Sequence, residues 1–351
     1  MFWRDVDRGL LVLPTSLVLL IGAGCKTDDI GVDYQVLNLS GVLSSAVLLS
    51  DLTEVRVAAD LSFQSEADPG LHISGRVRFV VSPDVRITLP QRTLAAANSE
   101  LSFNSSTGSW QGLTVPIGGR LDADNLIIRN AIAGLEFAGQ SSSTIEALTV
   151  SDAYNGVSLS DHDTLRVQSI DIVDCTMGVF AENHSQLDVG GGLVTRCGIG
   201  AKNSESTLTL CDLVISDCSI AGLWTHLELL TDIQHCRFTG NLDHLYIQNN
   251  RNLVFILNDL QDISGNGYPI HAVYTTTETV DCQQNNFAPS VNGWFVNLSQ
   301  GSLSLENNWW STSDSLTISN GLYDHRVDPA RSGLVAFMPV LSSRVAAAGP
   351  R

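Results

Sequence analysis

Residues 131–182 read AIAGLEFAGQSSSTIEALTVSDAYNGVSLSDHDTLRVQSIDIVDCTMGVFAE, and one pattern recurs through the stretch. Gly134, Gly156 and Gly178 recur in steps of 22, and the same step reaches outward to Gly112, Gly200 and Gly222. A second column keeps the phase: Ala131, Ala153, Cys175, Cys197 and Cys218, in steps of 22, 22, 22 and 21. Each member follows Asn130, Asp152, Asp174, Arg196 or Asp217, mostly residues that favour turns. Between the columns apolar and polar side chains alternate. Leu113 and Val115, Leu135 and Phe137, Val157 and Leu159, then Val179 and Ala181 follow the glycines. Leu126 and Ile128, Leu148 and Val150, Ile170 and Ile172, and Leu213 and Ile215 precede the small residues. Period-two alternation rich in β-branched residues specifies strands.

Two or three short strands per repeat, with no helical segment, leave one economical solution. The chain winds as a coil, and each strand pairs in parallel with its counterpart one turn on, about 4.8 Å away. The expected class is all-β, a right-handed parallel β-helix (a solenoid) of about 22 residues per coil. The leucine-rich repeat has a similar period, but its Leu/Asn consensus is absent. The expected organisation is a signal peptide over 1–24, a tether over 25–41 and the β-helix over 42–310. A C-terminal coil and cap over 311–341 and a flexible tail over 342–351 complete it. The β-helix would have about twelve coils.

Composition agrees. Only 16% of the 351 residues are charged, against about 25% in ordinary globular chains. The 44% hydrophobic content excludes a disordered acidic chain. Asp and Glu number 37 against 19 Lys and Arg, a formal net charge of -18. That excess excludes nucleic acid as a non-specific partner and disfavours polyanions in general.

Several segments carry a family likeness. Gly108-Ser109-Trp110-Gln111-Gly112-Leu113 resembles the entry to the regular coils of bacterial right-handed β-helix repeat proteins, of the pectate-lyase-like solenoid superfamily. Asn285-Asn286-Phe287 and Asn307-Asn308-Trp309-Trp310 resemble their recurring Asn-Asn-aromatic turns. Gly321-Leu322-Tyr323-Asp324, Asp328-Pro329 and Phe337-Met338-Pro339 resemble the final coil and cap, with Ser311 where the family usually has glycine. Such motifs specify fold well and function poorly.

Gly9 to Ile21, GLLVLPTSLVLLI, is an apolar run too short to span a bilayer comfortably, followed by Gly22-Ala23-Gly24-Cys25. This resembles a bacterial lipoprotein signal, with Gly22 where such boxes usually carry Leu. The resemblance implies lipidation at Cys25, membrane contact only through that anchor, and, with Lys26 next, an outer-membrane cell-envelope location. An ordinary secretion signal is the alternative. Six further cysteines remain, with no CxxC pair. An even count in an exported chain admits disulfides, but adjacent parallel strands suit disulfide geometry poorly. A ladder of reduced, buried thiols is expected.

The positions two and four after each glycine face solvent. The first column reads Thr114, Glu136, Ser158, Phe180, Lys202 and Trp224; continuing through His244, which replaces the glycine, adds Tyr246. The second reads Pro116, Ala138, Ser160, Glu182, Ser204, His226 and Gln248. Phe180, Trp224 and Tyr246, with Glu136 and Gln248, form the candidate ligand face. Aromatic rings beside hydrogen-bonding groups suit sugars, so the expected partner is a polysaccharide or, failing that, an envelope protein. No cofactor or metal is expected.

The alternative on the same face is a polysaccharide lyase or hydrolase with Lys202, Glu182 and His226 as catalytic groups. Pectate-lyase-like sites would add calcium, for which two acids on this face are a poor cage. Polygalacturonase-like sites use an Asp-Asp pair, found here only as Asp28-Asp29 in the tether. His162 and His184, one repeat apart, read as solvated turn residues rather than a metal site. A structural spacer without a small-molecule site is the third reading.

Overall fold

Each step of the repeat is one turn of a parallel β-helix. A computed structural model describes residues 25–26, 33–64, 69–105, 107–227, 229–249, 252–273, 280–298, 302–330 and 333–351. The candidate signal peptide lies outside the described residues. The rod has about eleven turns of parallel strands and almost no helix. Each turn contributes to three faces. The glycine face stacks Met177–Glu182, Ile199–Ser204, Ala221–His226 and Asp243–Gln248. The second stacks Gln186–Val189, Thr207–Cys211 and Leu230–Gln234; the third stacks Gly192–Thr195, Leu213–Ser216 and Arg237–Thr239. In earlier coils a single long strand such as Thr164–Val173 serves both of these faces.

The interior is the alternation read from the sequence. Leu135, Val157, Val179, Ala201, Leu223 and Leu245 form one buried file on the glycine face. Stacking equivalent residues one above another buries each coil's apolar face, which no coil does alone.

Close approach explains the glycines. A Cβ on Gly156 would stand 2.4 Å from the carbonyl oxygen of Gly178, and one on Gly178 2.3 Å from that of Gly200. The column holds glycine because the next coil's backbone occupies the side-chain space. The turn residues before the small column are all left-handed, with φ of 55° at Asn130, 56° at Asp152, 58° at Asp174, 52° at Arg196 and 54° at Asp217. Asn and Asp accept that region more readily than other L-residues. Arg196 is held there by a two-pronged pair with Asp174, at 2.8 and 2.7 Å. Ser311, at φ 59°, shows why glycine is the usual residue after the paired tryptophans.

The small column is reduced. Cys175, Cys197 and Cys218 are free and buried, and each thiol donates to the carbonyl two residues back, at 3.4 to 3.5 Å. Asn241 follows them and accepts from the Cys218 N–H at 2.9 Å. A second ladder, Asn258, Asn285 and Asn308, closes the turn between second and third faces. Asn258 Oδ1 accepts from the Cys236 N–H, and Asn285 Oδ1 and Asn308 Oδ1 accept from the next N–H in line, each at 2.8 Å. Buried amides so placed pair turn N–H groups that the strand ladders leave open.

The ends depart from the expected plan. Coiling begins earlier than residue 42: Asp33–Leu43 already pairs in parallel with Thr53–Phe63. The regular period holds from Leu113 to Leu245, whereas the steps Ile87↔Leu113, Leu245↔Ile270 and Phe295↔Leu322 are each longer. Residues 342–351, expected to be flexible, lie along the rod. Arg344 pairs with the buried Asp259 carboxylate at 2.7 Å, and Asn286 exchanges two hydrogen bonds with the Val345 backbone. The Gly349 N–H reaches the Leu257 carbonyl at 2.9 Å, and Arg351 pairs with Asp212 at 3.2 Å. The segment has no strand alternation. Its order comes from side chains on successive turns, far away in sequence.

Candidate ligand-binding face

The strand registers place Glu136, Ser158, Phe180, Lys202, Trp224, Tyr246 and His271 in one outward file, one residue per coil. Coil spacing is fixed by the hydrogen-bond ladder, so the file is a row with a repeat of about 4.8 Å. From Phe180 onward its members touch. Lys202 Nζ lies 4.9 Å from the Phe180 ring centre and 5.6 Å from that of Trp224. The rings of Trp224 and Tyr246 are 4.7 Å apart and tilted by 54°, and Tyr246 meets His271 edge-on at 4.9 Å. An ammonium over two ring faces is attracted by their quadrupoles, by about 0.5–1 kcal/mol at an exposed site. All these side chains are partly exposed.

His271 has a fixed orientation. Its Nδ1 lies 3.0 Å from the Asp243 carboxylate, which also accepts from the Tyr268 N–H at 2.8 Å. The Tyr268 ring packs edge-on against the imidazole at 5.9 Å. Sequence reasoning misses His271 because the coil between Leu245 and Ile270 is longer than the regular repeat, so the phase breaks after Gln248. The available signal is the alternation of Ile270 and Ala272 around it.

The other expected site residues divide. Gln248 shares the Tyr246 strand, two positions on. Glu182, Ser204, His226 and Gln248 form the neighbouring file, with His226 Nδ1 3.5 Å from the Ser204 hydroxyl. Glu136 does not join the aromatic row. It is three coils from Lys202 and is paired with Arg86 at 3.0 Å, with Thr114 beside it. The arginine, not the row, sets its position. Around Lys202, Glu182 and His226 no set of three acidic or metal-binding groups converges, and among the described residues no such group able to hold a metal occurs anywhere. The calcium cage that the lyase alternative requires is therefore not assembled from these side chains.

Fold and face together define a β-solenoid scaffold with a partly exposed aromatic row on one sheet. A family model described as Periplasmic copper-binding protein (NosD) matches residues 117–325, and the chain belongs to that family. No curated protein and no solved structure matches it.

Copper prefers thiolate and imidazole donors that converge on one point. The eight histidines all lie among the described residues. His162 and His184 stack with centroids 5.4 Å apart and planes within 11°, so their lone pairs run parallel instead of converging. His244 has both nitrogens engaged, Nδ1 by the Asn241 amide and Nε2 by the Gln261 carbonyl. The Cys175–Cys218 thiols are buried as a file that begins with Ala131 and Ala153, which marks the position as a packing site. Burial pushes Cys218 and Cys236 up to about 12, away from the thiolate that a metal needs, while Cys197 is lowered chiefly by its hydrogen bond with the neighbouring Cys175 thiol inside the buried file. These donors do not fit the metal in the family's description.

Proposed function

We propose that this chain is an exported envelope protein that binds an elongated ligand, a glycan chain, along its glycine face. One observation carries the reading: Phe180, Lys202, Trp224, Tyr246 and His271 occupy five successive coils with touching side chains. Sugar rings offer apolar faces and polar edges, and aromatic side chains beside polar groups match both. A row with a fixed repeat suits a polymer better than a small molecule. Protein binding at the same face is the competing reading, and among the described residues no group of three acidic or metal-binding side chains supports the calcium-dependent lyase alternative.

The test is retention of the chain in gels containing soluble polysaccharides. Replacing Trp224 and Tyr246 together by Ala is expected to weaken binding about tenfold or more, at about 1–3 kcal/mol for lost ring contact. Equal retention of wild type and double variant would sink the reading.

Export and anchoring rest on the Gly9–Ile21 run and Cys25, and the periplasmic description of the family agrees with export. Labelled palmitate fed to cells expressing the chain should enter the protein and be lost in Cys25→Ser. Labelling that survives this change would refute anchoring at Cys25.

A further inference from the structure

Two polar atoms on the row are buried without a hydrogen-bond partner, Trp224 Nε1 and His271 Nε2. They stand one coil to either side of Tyr246. Groups of this kind are uncommon, because each costs the hydration it gave up. One is a donor. The other is an acceptor in the neutral imidazole, in which Nδ1–H donates to the Asp243 carboxylate and Nε2 keeps its lone pair. The pair is thus a donor and an acceptor two coil steps apart, about 10 Å, roughly the length of a disaccharide unit.

We infer that the ligand of this face is a neutral, hydroxyl-rich glycan, and that His271, oriented by Asp243, is the residue that selects it. The inference rests on the glycan reading above and names the class within it. Hydroxyl groups both donate and accept, so neighbouring sugars can satisfy Trp224 Nε1–H and His271 Nε2 together. A carboxylate satisfies only the indole, and it meets the Nε2 lone pair as a second acceptor. Asp243 behind the imidazole, Glu182 in the next file and a net charge of -18 add repulsion to any uronate. The one lysine of the row, its ammonium lying over the Phe180 and Trp224 rings, is a single positive charge against this acidic field.

The experiment is affinity electrophoresis of the intact chain through gels containing hydroxyethyl cellulose, galactomannan, xylan or polygalacturonate. Wild type, Trp224→Ala, His271→Phe and Asp243→Asn are compared, with matched thermal midpoints as the folding control. His271→Phe keeps a ring against Tyr246 and Tyr268 and removes only the acceptor. Asp243→Asn can still accept from the Tyr268 N–H through its amide oxygen but frees the imidazole tautomer. Retardation by one or more neutral polymers and not by polygalacturonate is expected, with about a tenfold loss of affinity in His271→Phe and a smaller loss in Asp243→Asn. Retention unchanged in His271→Phe but lost in Trp224→Ala would overturn the role of His271 and leave the glycan face standing. Retardation by polygalacturonate at least as strong as by the neutral polymers would overturn the neutral class. No retardation by any polymer would overturn this inference and the glycan reading alike.

Discussion

Acidification should cost this protein about 3 kcal/mol of folding free energy through one side chain, His244. His244 stands where the glycine file would place its next member, and it is fully buried. Burial lowers its pKa from 6.5 to about 4. Its hydrogen bonds demand the neutral ring: Nε2 donates to the Gln261 carbonyl at 2.8 Å, and Nδ1 accepts from the Asn241 amide at 3.2 Å. A proton added at Nδ1 would face a donor. The unfolded chain takes up that proton near pH 6.5 and the folded chain only near pH 4. The stabilisation is therefore complete above the unfolded value and is lost as pH falls towards the folded one. About 2 kcal/mol of it should be gone by pH 5, before most carboxylates titrate. Asp163, whose carboxyl burial holds above the ordinary range, acts in the opposite sense. Comparison with His244→Leu isolates the imidazole. Urea unfolding at pH 7.5 and pH 5 should show the drop in wild type and not in the variant, whatever the variant's absolute stability. A wild-type curve that is flat between those pH values would refute it.

Gly178→Ala should strongly destabilise the regular coils, at about 3 kcal/mol. Its Cβ would lie 2.3 Å from the Gly200 carbonyl oxygen and 2.8 Å from Val194 Cγ1. The carbonyl is backbone of the next coil, so relief requires shifting a paired strand against its neighbours. Ser158→Ala, one coil earlier on the outer surface, should change stability by less than about 0.5 kcal/mol. Equal thermal midpoints for the two variants would show that the coils separate more easily than the close approach implies.

The regular half of this fold is open to reading because its physics is local and repeated. Each coil sees nearly the same neighbours above and below, so one steric demand recurs as one residue type at a constant step. The glycine file records a backbone contact, the Asn and Asp before Cys175 and its equivalents record a left-handed turn, and the inner leucines record burial. The same periodicity puts Phe180, Lys202, Trp224 and Tyr246 in line and predicts reduced thiols. Its reach ends where the repeat lapses. The longer coil after Leu245 hides His271, and the docked segment 342–351 is held by Asp259, Asn286 and Asp212 rather than by any pattern of its own. Glu136 has the right phase for the row, yet its nearest cation, Arg86, sits 50 positions earlier and sets its role.

The sequence by itself determined the class of fold, the length of the regular coil, the inward and outward sides of each strand and the acidic, low-charge surface. All of these follow from spacing and side-chain type. Only the tertiary structure decided which outward residues touch, which are already committed to partners, and which keep an unpaired hydrogen-bonding atom. Those are properties of distance between coils. The Asp243–His271 pair spans 28 residues and a coil of irregular length, and no periodicity in one dimension encodes it.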